Sequence, residues 1–195
     1  KIKRVAYPSF VLIAMVNLLL IVFAPEIIGI FAPNEYYEAI WVIPPIAMSV
    51  FFMFAYSFFA MFEFYFEQTK YITIATFTGA LVNIITNYIF IQKFGYIAAG
   101  YTTLMCYIIY AVLHFLFMKK ICKEKLDGIK VYDLRVISGI TVLFMVLGFA
   151  MIITYRHLMV RYLVVGIGIS GIIIVRHKLI HFIKVLFETR TSKKS

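Results

Sequence analysis

Six stretches of this chain contain no Asp, Glu, Lys or Arg: Val5 to Ala24, Ala39 to Phe62, Tyr71 to Gln92, Phe94 to Met118, Val136 to Tyr155 and Tyr162 to Val175. Uncharged runs of this length leave a chain few ways to fold. About 20 apolar residues in a helix, rising 1.5 Å each, cross a hydrocarbon core about 30 Å thick. Inside that core every unpaired backbone N–H or C=O costs several kcal/mol, so only a helix or a closed barrel can span it. The alternating strands of an outer-membrane barrel are absent. The fold class expected is therefore all-α: a polytopic membrane protein with six transmembrane helices. With 64% hydrophobic and 14% charged residues, a soluble domain is excluded. The sixth run is the short one. It needs Leu158 to Val160 as well, with Arg161 snorkelling to the headgroups, or a locally thinned bilayer.

Basic residues are retained on the cytoplasmic side of a membrane, and here they are distributed unequally. With the N-terminus inside, the inner segments hold sixteen of the 19 Lys and Arg: Lys1, Lys3, Arg4, Lys70, six from Lys119 to Arg135 and six from Arg176 onward. The outer segments hold Lys93, Arg156 and Arg161. The expected topology is N-in and C-in. Within the outer loop, Pro25 to Phe31 reads as a short apolar turn at the interface. Four units follow along the chain: helices over 1–118, a basic cytoplasmic loop over 119–133, two further helices over 134–175, and a basic tail over 176–195. In the tail, Leu179, Ile180, Phe182, Ile183, Leu186 and Phe187 share one helical face, which fits an interfacial helix or an extension of the sixth span.

The net charge of +10 falls beside apolar runs rather than on a folded polar face, which points to anionic lipid headgroups and not to nucleic acid. Cys106 and Cys122 have no spacing for a disulfide or a metal site. No metal, cofactor or catalytic residue is expected. The run after Lys1-Ile2-Lys3-Arg4 is too long for a signal peptide and lacks a small-x-small cleavage site. A first residue of Lys rather than Met points to a fragment or a trimmed chain.

No charged residue lies at the middle of a span, where one costs roughly 2.5–3.5 kcal/mol. Softer features remain. Gly79, Asn83 and Asn87 recur every four residues on one helical face, either packing against another helix or lining a hydrated cavity. Pro44 and Pro45 fall inside the second run and are expected to kink it, as a hinge or as a static bend. Glu63 and Glu67 mark its cytoplasmic end near Lys70, either as a solvated loop with an exposed ion pair or as a gate pairing with a basic residue on another helix. His114 is expected at the interface. Small residues from Gly95 to Thr103 form a packing surface.

The stretch Ala32-Pro33-Asn34-Glu35-Tyr36-Tyr37-Glu38-Ala39, followed by Val82-Asn83-Ile84-Ile85-Thr86-Asn87-Tyr88 and Phe94-Gly95-Tyr96-Ile97-Ala98-Ala99-Gly100, resembles the C-terminal half of bacterial oligosaccharide flippases. These polysaccharide-biosynthesis proteins belong to the multidrug/oligosaccharidyl-lipid/polysaccharide exporter superfamily. The Asn-x3-Asn helix leading to an aromatic-Gly turn and a small-residue helix is the most specific part, and Ala32 departs from a frequent Gly. The resemblance covers about residues 5–118. It implies a fragment of a 14-helix, two-lobed transporter in the bacterial cytoplasmic membrane, with spans nine to fourteen present and the earlier helices of the same protein as partner. The activity implied is movement of an undecaprenyl-diphosphate-linked oligosaccharide across the membrane by alternating access, with no enzymatic step. A drug exporter of the same superfamily and a non-transporting scaffold subunit of a polysaccharide-assembly complex are the alternatives.

Overall fold

The computed structural model describes residues 2–129, 131–167 and 170, all helix, turn or loop with no strand among them. In chain order the helices are α1 (Ile2–Val22), α2 (Ala24–Phe31), a 3-10 helix (Asn34–Trp41), α3 (Ile43–Tyr65), α4 (Thr69–Phe94), α5 (Ile97–Lys125), α6 (Leu134–Thr154) and α7 (Leu158–Ile167). Five of them, α1 and α3 to α6, are long and apolar enough to cross a membrane. The protein is a multi-pass membrane protein. The sixth expected span is described only as far as Ile167, where α7 is a shorter apolar helix. The rest of that span, apart from residue 170, and the whole tail lie outside the described residues.

Several boundaries differ from the sequence expectation, for identifiable reasons. The second run starts at Ala39 in apolarity, but the transmembrane helix starts at Ile43 with its two prolines in the first turn. At that position the missing proline N–H groups are ones no intrahelical carbonyl would have accepted. Pro44 and Pro45 therefore begin α3 and do not kink it, and the preceding residues wind as the separate 3-10 helix. Pro25 likewise opens a helix of eight residues, α2, where a turn was expected. In the other direction, α5 runs seven residues past Met118 into the basic segment, because Lys and Glu continue a helix as readily as apolar residues do.

Glycine ends two of the long helices. Gly95 (φ 72°) follows α4 and its N–H closes on the Ile91 carbonyl; Gly128 (φ 74°) follows α5 and bonds back to the Cys122 carbonyl at 3.0 Å. Both need the left-handed conformation that costs glycine little. Asp133 caps α6, its side chain accepting from the Arg135 N–H at 3.0 Å.

α3 is the centre of the bundle, packed on α1, α5 and α6, with α4 laid on the far side of α5. The core between α1, α3 and α6 is aromatic: Phe51 meets Phe144 with ring centres 4.6 Å apart, and Phe10 meets Phe51 edge-on at 5.9 Å. Pairs of contacts fix the directions. Gly100 lies under Pro45, Tyr56 by Tyr107, and Glu63 by His114, so α3 and α5 run parallel. One end of the bundle thus gathers the α3–α4 turn, the end of α5 and the start of α6, with Lys70, Lys119, Lys120, Lys123, Lys125 and Arg135. We call this the basic end.

Candidate functional site

A polar seam runs along α5 through this apolar bundle. Near the far end, Thr102 donates to the Asn87 side-chain oxygen at 2.6 Å and Asn87 donates to that of Asn83 at 3.0 Å. Asn83 in turn lies 3.6 Å from the Cys106 sulfur, and one helical turn further Gly79 sits beneath the Tyr110 ring. Each step of four residues back along α4 meets a step of four forward along α5. The structure thus turns the whole Gly79, Asn83, Asn87 face onto one antiparallel neighbour, where its amides find partners that lipid cannot offer. This geometry carries a prediction. Asn87→Leu removes two side-chain bonds, and because interhelical bonds in membranes average about 0.6 kcal/mol, a loss of about 1 kcal/mol of stability in detergent unfolding is expected. A variant as stable as the parent would mean that the seam does not hold α4 on α5.

Below Tyr110 the seam becomes aromatic and then ionisable. Tyr56, Tyr107 and Tyr110 are half-buried and lie within 5.4–6.3 Å of one another. Tyr56 stacks on the His114 ring at 5.2 Å. His114 Nδ1 and Glu63 Oε1 share a hydrogen bond of 2.7 Å, and both side chains are essentially removed from solvent, at 3% and 0% exposure. The second carboxylate oxygen of Glu63 has no partner among the described residues. The sequence expectation of a solvated Glu63 near Lys70 is therefore corrected. The α3 surface that carries Glu63 faces α5, and the hydrogen-bonding neighbour there is the His114 imidazole. His114, expected at the interface, is buried between α3 and α5. Glu67 is exposed in the α3–α4 turn, and Lys70 lies 5.1 Å above the Tyr71 ring instead of against either carboxylate.

At the end opposite the basic one, Arg161 does not reach for headgroups. It is 3% exposed and bonded to Glu26 at the start of α2, and the Tyr162 hydroxyl donates to the same carboxylate oxygen at 2.8 Å. Tyr155 donates to the Ile21 carbonyl, and burial raises its phenol above the usual range. These contacts fasten α7 and the end of α6 to the α1–α2 corner.

Two signals for the missed residues were in the sequence. Tyr107, Tyr110 and His114 are spaced by three and four, one helical face of polar aromatics inside an apolar run. Glu26 is an acid two residues past the end of an expected span. Neither signal names its partner, since the pairs are 51 and 135 residues apart. Among the described residues no three of His, Cys, Asp and Glu converge as metal ligands, and both cysteines are free. The seam can hold helices together, exchange hydrogen bonds and stack against planar or sugar rings. Comparisons of the chain with protein-family models, with curated proteins and with solved structures find no match.

Proposed function

We propose that this chain is the C-terminal part of a lipid-linked oligosaccharide flippase of the bacterial cytoplasmic membrane, six spans with both termini inside, working by alternating access with the other lobe of a 14-helix protein. The observation that carries this reading is the half-buried tyrosine face of Tyr56, Tyr107 and Tyr110, set between the Asn83–Asn87 amides and the Glu63–His114 pair. In a helix bundle meant only to sit in lipid such a face would serve helix packing alone. A translocation path needs one, because a glycan crossing the membrane must exchange water for hydroxyls, amides and aromatic rings while its lipid tail stays in the bilayer. The distribution of basic residues supports the orientation, since the end holding Lys119 to Arg135 would face the cytoplasm. α4 also supports a larger assembly: Phe77, Ile84 and Tyr88 stand about two-thirds exposed on the side away from α5, a surface for lipid or for further helices of the same protein. Glu63 with His114 would be a closing contact at the cytoplasmic end, and Pro44 and Pro45 the fixed start of the helix on which it rides.

The complete protein, expressed in a strain lacking its own flippase and supplied with the matching lipid-linked glycan, is expected to restore surface glycan. Normal membrane insertion without restoration would remove this function and favour a non-transporting scaffold.

A further inference from the structure

At the basic end, a cavity of about 1110 Å³ lies between the end of α5 and the start of α6. Lys119, Lys120 and Lys123 line it from α5 and Arg135 from α6, against the single acid Asp133. Asp133 is already engaged as the cap of α6. Leu116 and Leu134 are among its apolar lining, each more than half exposed. The cavity therefore offers positive charge and open hydrocarbon side by side, at the level where α5 passes from its apolar run into its charged turns. Tyr132 closes the inner side of the cavity, its ring packed edge-on against Phe59 and Phe62 and its hydroxyl out of contact with solvent.

We propose that this cavity binds the phosphate headgroup of one anionic glycerophospholipid, with Lys119, Lys123 and Arg135 around the phosphate and the acyl chains lying along Leu116 and Leu134. Basic pockets between membrane helices suit such headgroups because they combine charge with access from the bilayer. The site goes beyond the general attraction of a basic loop to a charged surface. It holds one molecule, and it stands whatever the protein transports.

The test titrates the purified chain in neutral detergent with phosphatidylglycerol and counts bound lipid by native mass spectrometry. One tight adduct per chain is expected, unfilled by phosphatidylcholine and not displaced by inorganic phosphate, which lacks the acyl chains. Each cation near a membrane surface contributes about a factor of five, so Lys123→Gln with Arg135→Gln is expected to weaken the adduct roughly thirtyfold. Lys70→Gln with Lys125→Gln removes the same charge from the same end without touching the cavity. That control pair is expected to change binding by no more than about twofold. Equal losses in the two double variants, equal binding of phosphatidylcholine, or displacement by inorganic phosphate would overturn the proposal.

Discussion

His114→Ala is expected to destabilise the bundle by about 3 kcal/mol, at the upper edge of the range for a buried polar group that loses its hydrogen-bond partner. The cost comes from the residue left behind. Glu63 is fully buried with one hydrogen bond, to His114, and its other oxygen already lacks a partner. Glu63 stands two residues before the end of α3, so with the helices apart its carboxylate reaches the membrane boundary and water. Packing α3 onto α5 strips that water away, and without the imidazole nothing replaces it. Removing both polar groups should behave differently. Glu63→Met with His114→Phe leaves no orphan in the interface, and replacing both partners of a buried hydrogen bond with apolar groups of similar size is nearly neutral or stabilising. The double variant is therefore expected to unfold in detergent at or above the parent's midpoint, with the single His114→Ala well below it. If the double variant is as unstable as the single one, the pair is supporting the interface by its own bonding and this account of the penalty is wrong.

The contrast between that pair and the helices around it marks what a linear sequence carries. The length of an uncharged run reports the cost of exposing backbone to hydrocarbon, a property of each segment alone, and so the spans through α1 and α3 to α6 are legible. The ends of those spans are less so. Apolarity places a boundary at the first charge, whereas the helix at Lys119 to Lys125 ignores charge and the helix at Ile43 obeys proline. The every-fourth-residue stripe of Gly79, Asn83 and Asn87 was legible as a face, but its role depended on Thr102, Cys106 and Tyr110 arriving opposite it. Glu63 and Arg161 were least legible. An acid or a base near the end of an apolar run has the same sequence surroundings whether it snorkels to water or pairs inward, and only the partner, His114 in one case and Glu26 in the other, decides between them.

The α4–α5 contact offers the second large effect. Gly79→Leu is expected to cost about 3 kcal/mol, the upper part of the usual range for overpacking. A Cβ built at Gly79 would stand 1.8 Å from Tyr110 Cε2 and 2.6 Å from Cδ2. Those distances are impossible, so either the ring swings away or the helices part. The ring is not free to swing. Its hydroxyl donates to the Thr76 carbonyl at 3.3 Å, and its face lies against Tyr56, Tyr107 and His114. Leu in place of Gly improves helix propensity by somewhat less than about 1 kcal/mol, too little to offset the clash. The test is suppression. Adding Tyr110→Ala to Gly79→Leu should recover at least about 1 kcal/mol, because the two changes share one volume and so are not additive. Gly139→Ala in α6, where an added Cβ meets nothing within 4 Å, should leave stability unchanged or raise it by up to about 1 kcal/mol. Detergent unfolding midpoints for the four variants decide the matter: if Gly79→Leu and Tyr110→Ala simply add, the helices are not held apart by that ring and the close approach of α4 to α5 has another cause.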